Sequence, residues 1–342
     1  MSICIASEID SYVPSYEDVR MKALRKFVEK VYVPRSIRRQ GVERARVVRY
    51  MLKAEKVFQV VASELGRVAR LPKTGSMHPF YAELVNLASD GMYDQVIERA
   101  QKAVKIVAKL WREYRPRILA CYTGVEAKDL AREFVGRALS VAKRALRNSD
   151  KVREAVRVLK KTPCIDPNEP TMIIAGMPQV GKSTLVSRIS SAKPEIAPYP
   201  FTTKHIILGH FTWNNIRIQV IDTPGILDRP VEEMNPIERK AVAALKHLRA
   251  VTIFLIDPCR DAYYSLDRQL NVLRSVSNFV GRDRLIVALN KIDAVDEDRL
   301  REVEDILRNE GYDRLVRISA LYGYGLEELV ERAMELIKAL YG

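Results

Sequence analysis

The stretch Gly176-Met177-Pro178-Gln179-Val180-Gly181-Lys182-Ser183 constrains the fold of this chain more than any other. It matches the phosphate-binding pattern G-x-x-x-x-G-K-[ST]. An apolar run over residues 172–175 precedes it and a helical pattern opens at Lys182, so the loop joins a strand to a helix. Glycine lets the backbone wrap a phosphate closely, successive N–H groups point inward, and the helix N-terminus adds a field that favours negative charge. Lys182 is then expected to reach the β- and γ-phosphates of a nucleotide and the Ser183 hydroxyl to bind magnesium, with Thr184 completing the nucleotide contacts.

From residue 171 onward strand patterns alternate with helical ones, the signature of a mostly parallel sheet covered on both faces. Strands are expected at 171–175, 206–211, 216–221, 251–256, 284–289 and 314–318, and helices at 182–190, 236–248, 263–278, 296–309 and 326–340. The polar turn Thr212-Trp213-Asn214-Asn215 makes the second and third strands an antiparallel hairpin.

Further motifs follow strands in order. In Asp222-Thr223-Pro224-Gly225 the aspartate can hold a magnesium shell through water, and the Gly225 N–H can meet a γ-phosphate. Asn290-Lys291-Ile292-Asp293 matches the guanine reader N-K-x-D. The Asp293 carboxylate can accept two hydrogen bonds from guanine N1–H and N2–H₂, whereas adenine would leave that charge unpaired. Ser319-Ala320-Leu321 has the form of a loop whose N–H groups contact guanine O6. Pro198-Tyr199-Pro200-Phe201-Thr202-Thr203-Lys204 stands where a first switch belongs, with Thr203 the candidate for closing on magnesium and γ-phosphate and Thr202 in reserve. This is the layout of a P-loop GTPase domain, with GTP as substrate, GDP as product and Mg2+ as cofactor. Lys182, Thr203 and Gly225 are its catalytic candidates, and Ser183, Thr203 and Asp222 its metal candidates. After Gly225 comes Ile226, where Ras-like enzymes place a water-orienting glutamine, so slow intrinsic turnover is expected.

The first half differs in kind. Residues 1–168 hold 34 Lys and Arg against 19 Asp and Glu, a balance of +15, while the remainder hold 23 against 24. Helical patterns cover it: a run capped by Ser15-Tyr16-Glu17-Asp18 with Val19, Leu24, Phe27, Val28 and Val31 on one face, then 37–69, 79–88, 93–115, 125–146 and 149–159. An antiparallel helical bundle is expected. Two cationic stripes, Arg46, Arg49, Lys53, Lys56 and Lys102, Lys105, Lys109, Arg112, lie opposite apolar faces and are the candidate RNA-binding residues. Glu98 and Glu113 are spaced to pair with Lys102 and Lys109, which would neutralise part of one stripe. Three prolines within residues 161–170 mark a linker, which divides the chain into a basic bundle (1–160), the linker (161–170) and the GTPase domain (171–342).

Composition narrows the class further. Cys4, Cys121, Cys164 and Cys259 form no C-x-x-C pair, which argues against a zinc knuckle or a disulfide scaffold and for a reducing, cytoplasmic setting. No membrane partner is expected, because the apolar runs are too short to span a bilayer and residues 1–12 lack a basic signal region.

The chain resembles the nucleolar GTP-binding protein 1 family of the Obg-like GTPases. The resemblance rests on Leu71-Pro72 with His78-Pro79-Phe80-Tyr81-Ala82, on Ile165-Asp166-Pro167, and on the switch string from Pro198 to Lys204. It extends through Leu208-Gly209-His210, the run from Gln219 to Asp228, and Ala244-Leu245-Lys246-His247-Leu248-Arg249-Ala250. It implies a helical bundle followed by a GTPase domain, GTP hydrolysis with magnesium, and a role with ribosomal RNA in assembling the large ribosomal subunit from its precursor. Gln179 stands where many members carry an asparagine that in some GTPases coordinates potassium, so the resemblance does not extend to potassium dependence. An end at Gly342, without a long tail, resembles the archaeal type. Two other functions fit the same residues: a nucleotide-stabilised RNA-binding scaffold with incidental hydrolysis, and an Obg-type GTP-sensing translation regulator.

Overall fold

A computed structural model describes Ile9 and residues 12–191, 193–202 and 204–342. The switch candidate Thr203 lies outside the described residues, as does Cys4. Helices α1 (Tyr16–Val28), α2 (Arg35–Arg38), α3 (Val42–Ala69), α4 (Pro79–Ala88), α5 (Tyr93–Leu119), α6 (Gly124–Ala145) and α7 (Ser149–Lys161) come before the first strand. The chain forms two compact units, one of Glu8–Met77 with Ala88–Arg157, the other containing His78–Leu87 and Val158–Gly342.

In the helical unit α3, α5 and α6 pack on one another. Val47, Ala54, Val57 and Val61 of α3, Val96, Ala100 and Val107 of α5, and Ala127, Ala131, Ala138 and Ala142 of α6 are fully buried. The alanine row on α6 lets neighbouring helices approach closely, and the larger aromatic residues fill one end. There Trp111 stacks on Phe58 with ring centroids 5.4 Å apart and tilts against Phe134 at 5.3 Å. Helix α1 starts at a reciprocal cap, in which Asp18 N–H donates to Ser15 Oγ (3.1 Å) and Ser15 N–H to Asp18 Oδ2 (2.9 Å).

Three details depart from the periodicity. The helix expected over 37–69 is two, because Gly41 takes φ 114° between α2 and α3. Helix α5 runs beyond 115 through Pro116, and the burial of Ile118 offsets the hydrogen bond that proline cannot donate. On α1 the inward residues are Val19 and Ala23, whereas Leu24 and Val28 are exposed, Val28 at 74 %.

The second unit carries strands β1 (Thr171–Ala175), β2 (Glu195–Pro198), β3 (His205–Trp213), β4 (Ile216–Asp222), β5 (Ala250–Ile256), β6 (Leu285–Leu289) and β7 (Leu315–Arg317). Its helices are α8 (Lys182–Ile189), α9 (Pro236–Ala243), α10 (Leu266–Val280), α11 (Glu297–Asn309) and α12 (Leu326–Tyr341). Among the described residues the strands form one sheet in the order β2-β3-β4-β1-β5-β6-β7. β1 lies parallel between β4 and β5, and β1, β5 and β6 are buried along their whole length, as strands covered on both faces must be. β3 and β4 make the expected antiparallel hairpin. β2 adds an antiparallel edge that the sequence reading did not foresee, since Pro194 and Pro198 frame it. The helix expected over 236–248 is α9 followed by a 3-10 turn, Ala244–His247.

Helix α4 belongs with the sheet, although the boundary drawn at residue 160 places it in the bundle. Its Tyr81 hydroxyl donates to the Ile165 carbonyl (2.5 Å), and its Glu83 lies 2.8 Å from His247 Nε2. The stretch expected as a linker is itself pinned: Asp166 N–H donates to Gln219 Oε1 (2.9 Å), and Gln219 Nε2 returns a bond to the Asp166 carbonyl (2.6 Å). Among the described residues no helix is long and apolar enough to cross a membrane.

Candidate functional site

The loop after β1 turns through Gly176 (φ 131°), Gln179 (φ 67°) and Gly181 (φ 99°) into α8. Space as well as torsion requires the glycines. A Cβ on Gly176 would lie 2.6 Å from the Leu255 carbonyl oxygen of β5, and one on Gly181 would collide with Asn290 Nδ2. Gln179 takes its left-handed conformation with a side chain, at a cost of about 1–2 kcal/mol. Met177 and Val180 are buried, Pro178 is half-buried, and Thr184 is exposed on the first turn of α8.

Lys182 is only 6 % exposed, and its ammonium donates to the Gly176 and Met177 carbonyls at 2.8 Å each. Burial lowers its pKa, against the pull of Asp222 and Asp228. The Ser183 hydroxyl donates to Asp222 Oδ2 (3.0 Å). Asp222 is fully buried at the end of β4, and burial raises its pKa against the opposing effects of Ser183 and Lys182. Among the described residues its buried Oδ1 has no hydrogen-bond partner. An orphaned carboxylate oxygen beside a hydroxyl is an all-oxygen donor set, which fits a hydrated Mg2+ taking its other ligands from phosphate.

Past Asp222, the Thr223 hydroxyl donates to the Ile174 carbonyl (3.0 Å) and Gly176 N–H to the Leu227 carbonyl (3.1 Å), so this segment is tied to β1 and the phosphate loop. Gly225 has φ 74°, and its N–H donates to Asp228 Oδ2 (2.8 Å), a carboxylate where the sequence reading puts a γ-phosphate. Ile226 is 2 % exposed. The reserve switch candidate Thr202 closes a turn in this structure: its hydroxyl donates to the Tyr199 carbonyl (3.0 Å) and accepts Lys204 N–H (3.2 Å).

Asn290 joins three of the motifs. Its Nδ2 donates to the Val180 carbonyl (2.7 Å) and its Oδ1 accepts Ala320 N–H (2.9 Å). Lys291 has φ 66°, and its ammonium meets Asp257 Oδ2 at 2.5 Å. Asp293 is exposed, and among the described residues its carboxylate has neither a hydrogen bond nor an ion pair. The Ser319 loop is closed by Ser319 N–H to the Tyr324 carbonyl (3.0 Å) and Tyr322 N–H to Ser319 Oγ (3.2 Å), leaving Leu321 exposed. Two contacts were missed from sequence, Asp228 on Gly225 and Asp257 on Lys291. Asp257 directly follows β5, as Asp222 ends β4, and that parallel was the available signal.

The cationic stripes differ from each other. On α5 Lys102, Lys105, Lys109 and Arg112 are exposed, and none has an ion pair among the described residues. The expected pairs are not made, since Glu98 is held by Lys73 (2.8 Å) and Glu113 by Arg117 (3.4 Å). On α3 the stripe is partly occupied. Arg46 pairs with Glu43 (2.6 Å), Lys56 with Glu29 (3.4 Å), and Lys53 sits over the Phe27 ring at 6.0 Å, while Arg49 is exposed.

Residues 11–166 match the family model described as the NOG1 N-terminal helical domain, and residues 171–291 match that of a 50S ribosome-binding GTPase. The chain is 36% identical over 232 residues to nucleolar GTP-binding protein 1 of Drosophila melanogaster, covering 68% of this chain and 36% of that protein. It is 31% identical over 334 residues to the protein of that name in Caenorhabditis elegans, covering 96% and 48% respectively. A protein of Methanocaldococcus jannaschii is 36% identical over 251 residues, covering 73% of this chain and 70% of its own length. The chain thus spans about half or less of the animal relatives and most of the archaeal one. With a family-specific match over the helical half and a GTPase match over the sheet half, the chain belongs to the nucleolar GTP-binding protein 1 family.

Proposed function

We propose that this protein binds GTP, hydrolyses it to GDP and inorganic phosphate, and acts as a nucleotide-gated factor in assembling the large ribosomal subunit. The observation that carries the nucleotide reading is Asn290, which fixes the phosphate loop and the Ser319 loop to one side chain while the neighbouring Asp293 carboxylate stays open for a base. In that role Asp293 accepts guanine N1–H and N2–H₂, and Lys182 exchanges its two carbonyl acceptors for β- and γ-phosphate oxygens. Ser183 and Asp222 hold Mg2+, which when bound neutralises charge on those oxygens. Asp228 gives up the Gly225 N–H to the γ-phosphate, a swap that makes this segment sensitive to which nucleotide is present. The unpaired cations of α5 supply the face for ribosomal RNA phosphates.

One observation favours a second reading, a scaffold whose hydrolysis is incidental: buried Ile226 offers no hydrogen bond to an attacking water. Multiple-turnover GTPase assays with and without large ribosomal subunits separate the two. The assembly reading expects hydrolysis that rises with the particle and cosedimentation with subunit precursors that depends on the nucleotide. Slow hydrolysis indifferent to the particle would leave the scaffold.

A further inference from the structure

We infer that Lys204 is a catalytic residue, an ammonium carried on the chain's own switch segment that meets the γ-phosphate as its bond to GDP breaks; this rests on the GTPase reading above. The site needs such a group. In phosphoryl transfer to water, the water oxygen bonds to γ-phosphorus and the bond from γ-phosphorus to the bridging oxygen breaks, its electron pair leaving with GDP. The water proton passes to a phosphate oxygen. As that bond loosens, charge spreads over the γ-phosphoryl and bridging oxygens, and a cation held beside them lowers the barrier without itself losing a proton. Ile226 offers no side-chain hydrogen bond to a water, and Lys182 is buried at the base of the phosphate loop with its ammonium on the Gly176 and Met177 carbonyls.

Lys204 is placed for the task. A Cβ on Gly225 would lie 2.6 Å from Lys204 Cδ, 2.9 Å from Cε and 3.0 Å from Nζ, so the lysine stem crosses the space that glycine leaves open beside the γ-phosphate N–H. Lys204 is exposed, and among the described residues its ammonium has no ion pair. Its backbone is anchored as well. The Lys204 carbonyl accepts Tyr199 N–H (3.0 Å), and Tyr199, buried to 1 % exposure, donates its hydroxyl to the Ala241 carbonyl (2.7 Å). A long flexible side chain on a fixed root can follow the phosphate while the root keeps it in reach.

The test compares the parent with Lys204→Met and Lys204→Arg in single-turnover hydrolysis at saturating GTP, with GDP affinity and GDP–aluminium fluoride affinity measured alongside. We expect Lys204→Met to lose about 10²-fold in rate and a similar factor in aluminium fluoride complex affinity, with GDP affinity unchanged, and Lys204→Arg to recover most of both. Unchanged GDP affinity also shows that the variants are folded. Hydrolysis by Lys204→Met at the parental rate, or a loss of GDP affinity as large as the loss of rate, overturns the inference while leaving the GTPase reading standing. A parent that binds no guanine nucleotide overturns that reading and this one with it.

Discussion

Asn290 Nδ2 lies 2.7 Å from the Val180 carbonyl, so the residue that follows β6 holds the phosphate loop. The bond is buried, and its other end is engaged by Ala320 N–H. Asn290→Ala strands both groups, at about 1–3 kcal/mol for each buried partner left unpaired. A fall in melting temperature together with weaker GDP binding is expected. A variant as stable as the parent would show that the three loops hold one another without it.

Asp293→Asn replaces two acceptances from guanine by a donor suited to a ring carbonyl. GTP affinity should fall by about 10- to 100-fold, corresponding to a mismatch of roughly 1–3 kcal/mol, and xanthosine triphosphate should gain. Equal affinity of parent and variant for GTP, read in competition against a fluorescent GDP, would remove Asp293 from the base site.

Lys182→Ala and Ser183→Ala should abolish magnesium-dependent GTP binding, whereas Ile226→Val should leave it intact and lower stability by about 0.5–1.5 kcal/mol through the lost methyl group. The pH dependence carries a sign. Burial raises the Asp222 pKa above its ordinary value, so its proton is gained at a higher pH than by a solvated carboxylate. A protonated Asp222 cannot face a cation, so magnesium-supported affinity weakens as the pH falls towards that raised pKa. The same proton favours the nucleotide-free fold, so this group's stabilising contribution is present at low pH and lost as the pH rises through it. Calorimetric titration of GTP across acid pH checks the first part and thermal unfolding without nucleotide the second.

Reversing Lys105 and Lys109 to Glu should weaken RNA binding across sequences and flatten its salt dependence by about 0.7–0.9 per lost phosphate contact. The same reversal at Arg46 and Lys56 should do less to RNA and more to stability, because these residues already pair with Glu43 and Glu29. Salt slopes from filter binding decide it; equal slopes for parent and both variants would send the search for the acidic partner to another face.

Much of the site was legible because its demands are local. Gly176 and Gly181 are glycines for reasons a neighbouring atom enforces, and a glycine with a fixed following lysine shows in any sequence. What escaped depends on residues distant in the chain. Leu24 and Ala23 are both plausible inward positions on α1, and only the packing of α1 against α3 decides for Ala23. β2 offers four residues between prolines, with pairing from β3 alone to make it a strand. Lys204 looks like any surface lysine until Gly225 folds beneath it.

The assignment of α4 to the sheet bears on the order in which the molecule can be made. Phe80, Leu84 and Val85 are fully buried, and the unit they belong to resumes only at Val158. A ribosome adding about 5–20 residues per second leaves them without that partner for on the order of ten seconds or more before β7 emerges. The helical unit is encoded ahead of most of the sheet, so it can close while α4 waits, and an apolar helix uncovered for that long is a site for chaperone capture on a nascent chain.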